Sequence, residues 1–259
     1  MTHETNRSLV RASLAAYLHA LQESGVDGIP VSMAGTMPDV TAPVSRQPSG
    51  SYDTDSRITV QGHETLEKVR RNLGACTRCR LGNDRNNLLF GRGNPQARLV
   101  FVGEWPETDD DPTEEPFAGE AGKILNRIIT AMGLKREDVY VCTVVKCRPP
   151  GGRDPEADEI GACSPLLLRQ LQSINPEAVV ALGALAAQAL LGTKEPVVRL
   201  RGKFRDFHGI PLMPTHPPSY LLRKQQEGSM VESFWEVWDD MTQVLRLLKL
   251  PVPEKSRKK

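Results

Sequence analysis

The sequence predicts an α/β protein, a three-layer α/β/α domain built around a mainly parallel, four-stranded central sheet. Two observations carry this. Four short, nearly unbroken apolar runs, at 98–104, 139–146, 178–183 and 210–214, alternate with segments of helical periodicity. Strands that are apolar on both faces belong to sheets covered on both sides, and intervening helices supply the covers. At 259 residues, 39% hydrophobic and 25% charged, the chain has room for one such domain plus extensions and the balance of a soluble globular protein.

Taken in order, residues 8–24 place Leu9, Leu14, Tyr17, Leu18 and Leu21 at near-helical spacing, and Gly25 stands where a helix C-cap belongs. Residues 1–28 therefore read as an amphipathic helix that docks on the body or on a protein partner. Residues 29–60 are rich in Pro, Ser, Thr, Gly and Asp and read as a flexible linker, because they bury too little apolar surface to offset ordering entropy. The domain proper is expected over 61–250. Its first strand, Arg98–Glu104, leads through a polar loop to a helix near Ala121–Met132. The second strand, Val139–Lys146, precedes a helix around Cys163–Ile174. A third, Ala178–Gly183, feeds the helix Ala184–Leu191, residues 196–209 read as a hairpin excursion, and Ile210–Pro214 is the fourth strand. The amphipathic helix Met230–Leu248 closes the domain, and 251–259 form a basic tail. Sheets of this kind bind ligands beyond the carboxyl ends of their strands, so the loops at Glu104, Lys146, Gly183 and His216 are where chemistry is expected.

No apolar run is long enough to span a bilayer, and Met1–Thr5 lacks the basic and apolar regions of an export signal, so a cytoplasmic location is expected. A net charge of +1 gives no global nucleic-acid signature, so any DNA affinity has to come from a local basic surface. Five cysteines in an unexported chain point to thiolate chemistry rather than disulfides. Four of them are spaced Cys76-x2-Cys79, then Cys147, then Cys163. Soft thiolates in that number suit an iron–sulfur cluster or a structural zinc, and the wide gaps describe a clip fastening the start of a domain to its middle. Cys142, five positions before Cys147 on a predicted strand, should face the other way and stay outside the set.

Several stretches together resemble one known family. Gly103-Glu104, Pro116-Phe117-Ala118-Gly119-Glu120-Ala121-Gly122, Val145-Lys146-Cys147-Arg148-Pro149-Pro150 and Ser219-Tyr220-Leu221-Leu222-Arg223 are similar to segments of the family 4 (iron–sulfur) uracil-DNA glycosylases, in order from Cys76 to about Leu247. The resemblance implies a monomeric DNA-repair glycosylase that flips a damaged base, uracil first of all, out of single- or double-stranded DNA and hydrolyses its N-glycosidic bond. It implies a [4Fe–4S] cluster on Cys76, Cys79, Cys147 and Cys163. Phe117 becomes the stacking platform, with Gly103 and Thr143 in the base pocket. Glu104 positions water or stabilises the cationic sugar, and His216 donates a hydrogen bond to the leaving base. Lys146, Arg148, Arg153 and Arg223 become phosphate contacts, and Leu221 or Leu222 the wedge that supports the flipped nucleotide. The Gly119–Gly122 segment opens a helix whose free N–H groups suit a polar or anionic group.

Three positions depart from the family pattern. Gly-Glu-x-Pro-Gly reads Gly103-Glu104-Trp105-Pro106-Glu107, Thr143 stands where the family has Asn, and His216 comes one residue early, with Pro217 at the histidine's place. A threonine hydroxyl lacks the bidentate grip of a carboxamide. These departures keep open a second class of function, a degenerate glycosylase that binds DNA or modified bases without robust excision.

Overall fold

The structure is a computed structural model that describes residues 64–254, except 108, 109 and 111–114. The helix expected within 1–28, the linker at 29–60 and the end of the basic tail at 255–259 lie outside the described residues.

Two helices open the described chain, α1 (Leu66–Leu73) and the single turn α2 (Leu81–Asp84). Strands β1 (Arg92–Gly93) and β2 (Leu99–Gly103) lead to α3 (Glu120–Ala131) and β3 (Tyr140–Thr143). The long α4 (Ala157–Ile174), β4 (Ala178–Leu182), α5 (Ala184–Leu191) and the short α6 (Val197–Leu200) follow. Strands β5 (Arg205–Phe207) and β6 (Ile210–Thr215) precede α7 (Pro218–Gln226) and α8 (Met230–Leu247).

The sheet has six strands in the order β1-β3-β2-β4-β6-β5. Its four central strands are parallel and are the four expected from the apolar runs; β1 and β5 add antiparallel edges. The edges escaped sequence reading because two or three residues, partly polar, carry no period. Residues 196–209 hold α6 as well as β5, so the hairpin expected there is only its second half.

Side-chain alternation along β2 builds both cores. Leu99 and Phe101 point to the layer of α3 and α8, where Ile124, Leu125, Ile128, Val237, Trp238, Met241 and Val244 meet them. Val100 and Val102 point to the opposite layer, against Leu167 and Leu171 of α4 and Ala186, Ala187 and Leu190 of α5. Phe101 is fully buried, a burial worth roughly 2–3 kcal/mol relative to exposure. On α8 and its C-cap the buried positions Val237, Met241, Val244 and Leu248 recur at three and four residues, the stripe an amphipathic helix turns to a sheet. Among the described residues no helix is long and apolar enough to cross a membrane.

Candidate functional site

The carboxyl ends of β2, β4 and β6 lie side by side, and their loops converge. Glu104 leaves β2 and reaches across to β4's end, where its Oε1 accepts from the Leu185 N–H at 2.8 Å and the carboxylate is also bonded by the Ala184 N–H. These are free N–H groups of the first turn of α5, which favour a carboxylate. Burial acts the other way and dominates. It pushes Glu104 from its ordinary 4.5 up to about 7, against the Leu185 bond, with further upward pressure from the charges of Asp154 and Glu107. Room for this carboxylate exists because residue 183 is glycine: a Cβ there would lie 2.5 Å from Glu104 Oε1, and φ is +107°.

Phe117 occupies the loop between β2 and α3 in left-handed backbone, φ +64°. Two glycines make its position possible. A Cβ at Gly122 would fall 1.6 Å from the Phe117 carbonyl oxygen, and one at Gly103 would fall 2.5 Å from the Phe117 ring and 3.6 Å from the Thr143 methyl. The ring therefore lies on the bare backbone at the end of β2, beside Thr143. Asp110 pins the loop that carries it. Its buried carboxylate accepts from the Glu107 N–H at 2.9 Å and the Ala118 N–H at 2.7 Å. Thr143 is buried, and its hydroxyl donates to the Val145 carbonyl at 2.7 Å. Its hydroxyl hydrogen is thus engaged within the backbone turn, unlike the base-gripping group expected at that position.

His216 follows β6 and is only 3% exposed. Its Nε2 lies 2.9 Å from Glu236 Oε2 on α8, and its ring stacks on Tyr220 with centroids 4.6 Å apart. Burial holds the imidazole below its ordinary value, opposed by Glu236 and assisted by Arg201. Behind this pair, Arg201 forms ion pairs with Glu236 and Asp240, and Asp240 accepts from the Thr215 hydroxyl at 2.6 Å. A cavity of about 350 Å³ opens at these strand ends, walled by Glu104, Val197, His216, Pro217, Tyr220 and Arg223 among others. Glu104 and His216 thus share one cavity. Sequence reasoning missed Glu236, Arg201 and Asp240, since acids and an arginine on a helix face and a loop look like solvated charge until the tertiary contacts appear.

The four cysteines come from the turn between α1 and α2, the segment after β3, and α4. Cys147 is buried and the other three are half-buried. Among the described residues no three His, Cys, Asp or Glu side chains form a ready-made site for a metal ion. The thiols are nonetheless neighbours. Burial pushes Cys147 up to about 11, with added pressure from Cys163 and Cys79, and Cys163 is raised in the same way with contributions from Cys79 and Cys76. Donors surround them: Arg78 Nη1 lies 3.3 Å from the Cys76 sulfur, Arg85 Nη1 lies 3.9 Å from that of Cys147, and the backbone N–H of Lys146 bonds the Cys163 sulfur. Such a donor set, four soft thiols ringed by cations and N–H groups, fits an anionic thiolate-bound group. Cys142 is fully buried in β3, and its upward shift has burial as first cause, with no contribution from another cysteine.

The expected phosphate contacts divide. Arg223 is exposed on α7, with its guanidinium 5.4 Å from the Tyr220 ring centroid, and Arg148 is half-buried beside the cysteine loop. Lys146 is not at the surface; it is 1% exposed, and its Nζ donates to the Thr143 carbonyl at 2.6 Å. Its place as a phosphate contact is corrected accordingly. Arg153 is committed to the fully buried Glu159, at 2.9 and 2.7 Å, and with Arg80 it secures that carboxylate. Leu221 is corrected as well. The segment expected as a loop is the helix α7, begun by Pro218 in its first turn, and it turns Leu221 fully into the core while Leu222 stays half-buried.

Comparison with known proteins bears on this arrangement. A profile of the Uracil DNA glycosylase superfamily matches residues 90–242. Among similar proteins, a type-4 uracil-DNA glycosylase of Thermotoga maritima is 44% identical over 164 residues, 62% of this chain and 85% of the relative. The type-4 enzyme of Archaeoglobus fulgidus is 42% identical over 54% of this chain and 72% of its own length, and that of Saccharolobus solfataricus 39% over 61% and 78%. With the profile spanning more than half of the chain and these relatives matched over most of their length, the chain belongs to the uracil-DNA glycosylase superfamily, among the type-4 uracil-DNA glycosylases.

Proposed function

We propose that this protein is a DNA-repair glycosylase that binds DNA, takes uracil out of the base stack and hydrolyses its N-glycosidic bond. The observation that carries this reading is the placing of Glu104 and His216 on one cavity at the carboxyl ends of the parallel strands. A flipped base needs a face to stack on, a group at its polar edge, and water at the sugar carbon as the bond opens. Phe117, lying on Gly103, supplies the face. His216 meets the polar edge. Glu104, held near 7, orients the attacking water and takes its proton as the bond to the sugar forms, or faces the cationic sugar as a carboxylate. Arg223 and Arg148 contact phosphate, and Leu222 is the remaining apolar candidate for the wedge.

Cys76, Cys79, Cys147 and Cys163 would hold a [4Fe–4S] cluster. When bound, it supplies iron–thiolate bonds that tie the α1–α2 turn to the end of β3 and to α4. The protein would work as a monomer in the cytoplasm. The second reading, a binder without robust excision, draws on one observation: Thr143 and His216 both direct hydrogen bonds into the protein itself. The deciding experiment is excision of uracil from single-stranded and duplex oligonucleotides, with binding measured in parallel. Release of uracil that is lost in Glu104→Gln supports the enzyme; tight binding with no release from either strand form supports the binder.

A further inference from the structure

His216 carries a hydrogen-bond arrangement more specific than its place on the cavity wall requires. Its ring is held on two sides, by the Tyr220 ring stacked at 21° between planes and by Glu236 Oε2 at 2.9 Å from Nε2. Glu236 is itself held. Its other oxygen lies 3.6 Å from Arg201 Nη1, and Arg201 also donates to the Glu236 backbone carbonyl. Arg201 is anchored in turn on Asp240, 3.0 Å away, and Asp240 accepts from Thr215, the residue just before His216. The contacts form a closed ring, from β6 through α8 and back to β6.

An ionised carboxylate only accepts hydrogen bonds, so the proton between the two groups sits on Nε2. A neutral imidazole with its proton on Nε2 offers a lone pair at Nδ1. Burial keeps His216 neutral near pH 7, with Glu236 and Arg201 as the charges that bear on it. Its Nδ1 is buried and has no hydrogen-bond partner among the described residues. A buried acceptor left without a donor is unfavourable; the atom has no solvent access in this conformation, so a base entering the cavity that His216 walls meets it with an N–H as the neighbouring side chains move aside.

We propose that Glu236, secured by Arg201, is a positioning residue that fixes His216 in the Nε2–H tautomer, so that Nδ1 accepts from the ring N–H of the flipped base. This rests on the glycosylase reading and replaces the donor role first expected of His216. It makes the pair a specificity device. Uracil presents a ring N–H at position 3 and satisfies the lone pair; cytosine presents a second lone pair there and is repelled. No bond is formed or broken by the pair. It selects the base and holds it while water attacks the sugar.

The test uses the full chain. Histidine 15N spectra at neutral pH read the tautomer of His216 directly, assigned by its loss in His216→Ala, and excision is measured on oligonucleotides carrying uracil or N3-methyluracil. The wild type should show Nε2–H and should excise the methylated base at least tenfold more slowly. Glu236→Gln, whose amide can donate to Nε2, should mix the tautomers and lower uracil excision at least roughly 10–100-fold, mainly in kcat, the loss seen when a metal-bound histidine loses its outer hydrogen-bond partner. Glu236 has 46% of its side chain exposed, so this variant is expected to fold, and its melting curve checks that. An Nδ1–H tautomer in the wild type overturns the proposal, as does a Glu236→Gln variant with unchanged spectrum and rate. Full activity of His216→Ala would instead overturn the role given to His216 under the glycosylase reading, while the spectrum still decides whether Glu236 fixes the tautomer.

Discussion

Replacing Glu104 by Gln should make the protein more stable and nearly inactive, and the size of the first effect should depend on pH. In the unfolded chain Glu104 ionises near 4.5, whereas in the folded protein burial holds it at about 7. Sign follows from linkage: the unfolded state gives up this proton first, so folding loses stability as pH rises from 4.5 to 7 and the loss is complete above 7. The full difference corresponds to about 3 kcal/mol. Partial solvent access screens it, and about 2 kcal/mol is a fairer expectation. For a domain of this size that is roughly 4–8 °C in melting temperature. Glutamine keeps an oxygen for the Leu185 N–H and carries no charge to desolvate. Melting curves of both proteins from pH 4 to 8.5 should therefore coincide at the acid end and separate above pH 5, with the variant higher. Excision by the wild type should rise through about pH 7, and the variant should retain at most about one hundredth of it. A melting difference that does not change with pH, or a variant less stable at pH 8, would refute this account of the carboxylate.

Three further expectations concern other parts of the site. Gly122→Ala places a Cβ 1.6 Å from the Phe117 carbonyl oxygen, so the loop must move by more than an ångström. The expected cost is about 3 kcal/mol in stability and roughly a hundredfold in excision, read by melting and by single-turnover kinetics. Cys147→Ala removes the most buried of the four thiols, and the purified protein should lose brown colour and iron and melt at lower temperature. Stoichiometric zinc in a colourless wild type would contradict the cluster. Arg223→Ala should leave stability within about 0.5 kcal/mol, because its ion pair with Glu227 spans 3.9 Å at the surface. It should weaken DNA binding and reduce the salt slope by about one, which titrations at several salt concentrations would measure.

The central sheet was legible because parallel strands covered on both faces must be apolar throughout, and runs such as Arg98–Glu104 and Ala178–Gly183 have no other use in a soluble domain. The cysteine set, Glu104 and Phe117 were singled out by local motifs, each a few residues long. What escaped depends on contacts between distant segments. Pro217-Pro218 reads as loop chemistry, yet Pro218 opens a helix that turns Leu221 into the core, because proline suits a first helical turn as well as a coil. Lys146 reads as a surface cation at a strand end, but it is buried and its Nζ turns back to the Thr143 carbonyl. Asp110 lies within three consecutive aspartates, and nothing local distinguishes the one that caps two loop N–H groups. Glu236 occupies the polar side of an amphipathic helix, where its partner just after β6 is set by how α8 packs and not by any neighbour in sequence.

The distribution of these parts along the chain has a consequence for how the protein is made. All four cysteines have been added to the chain once residue 163 is synthesised, with the segments that form α1, β2, α3 and β3 also complete. At that point Gly183, Leu185, His216 and Glu236 do not yet exist, so the cysteine set is complete well before the cavity has its walls. A chain that stalled, or was clipped before α8, would retain every cysteine while lacking Glu236 and Asp240. If the four cysteines hold the proposed cluster, colour in a preparation reports that the chain was completed through residue 163 and loaded, and competence to process a base has to be counted separately, by titrating active molecules against iron content.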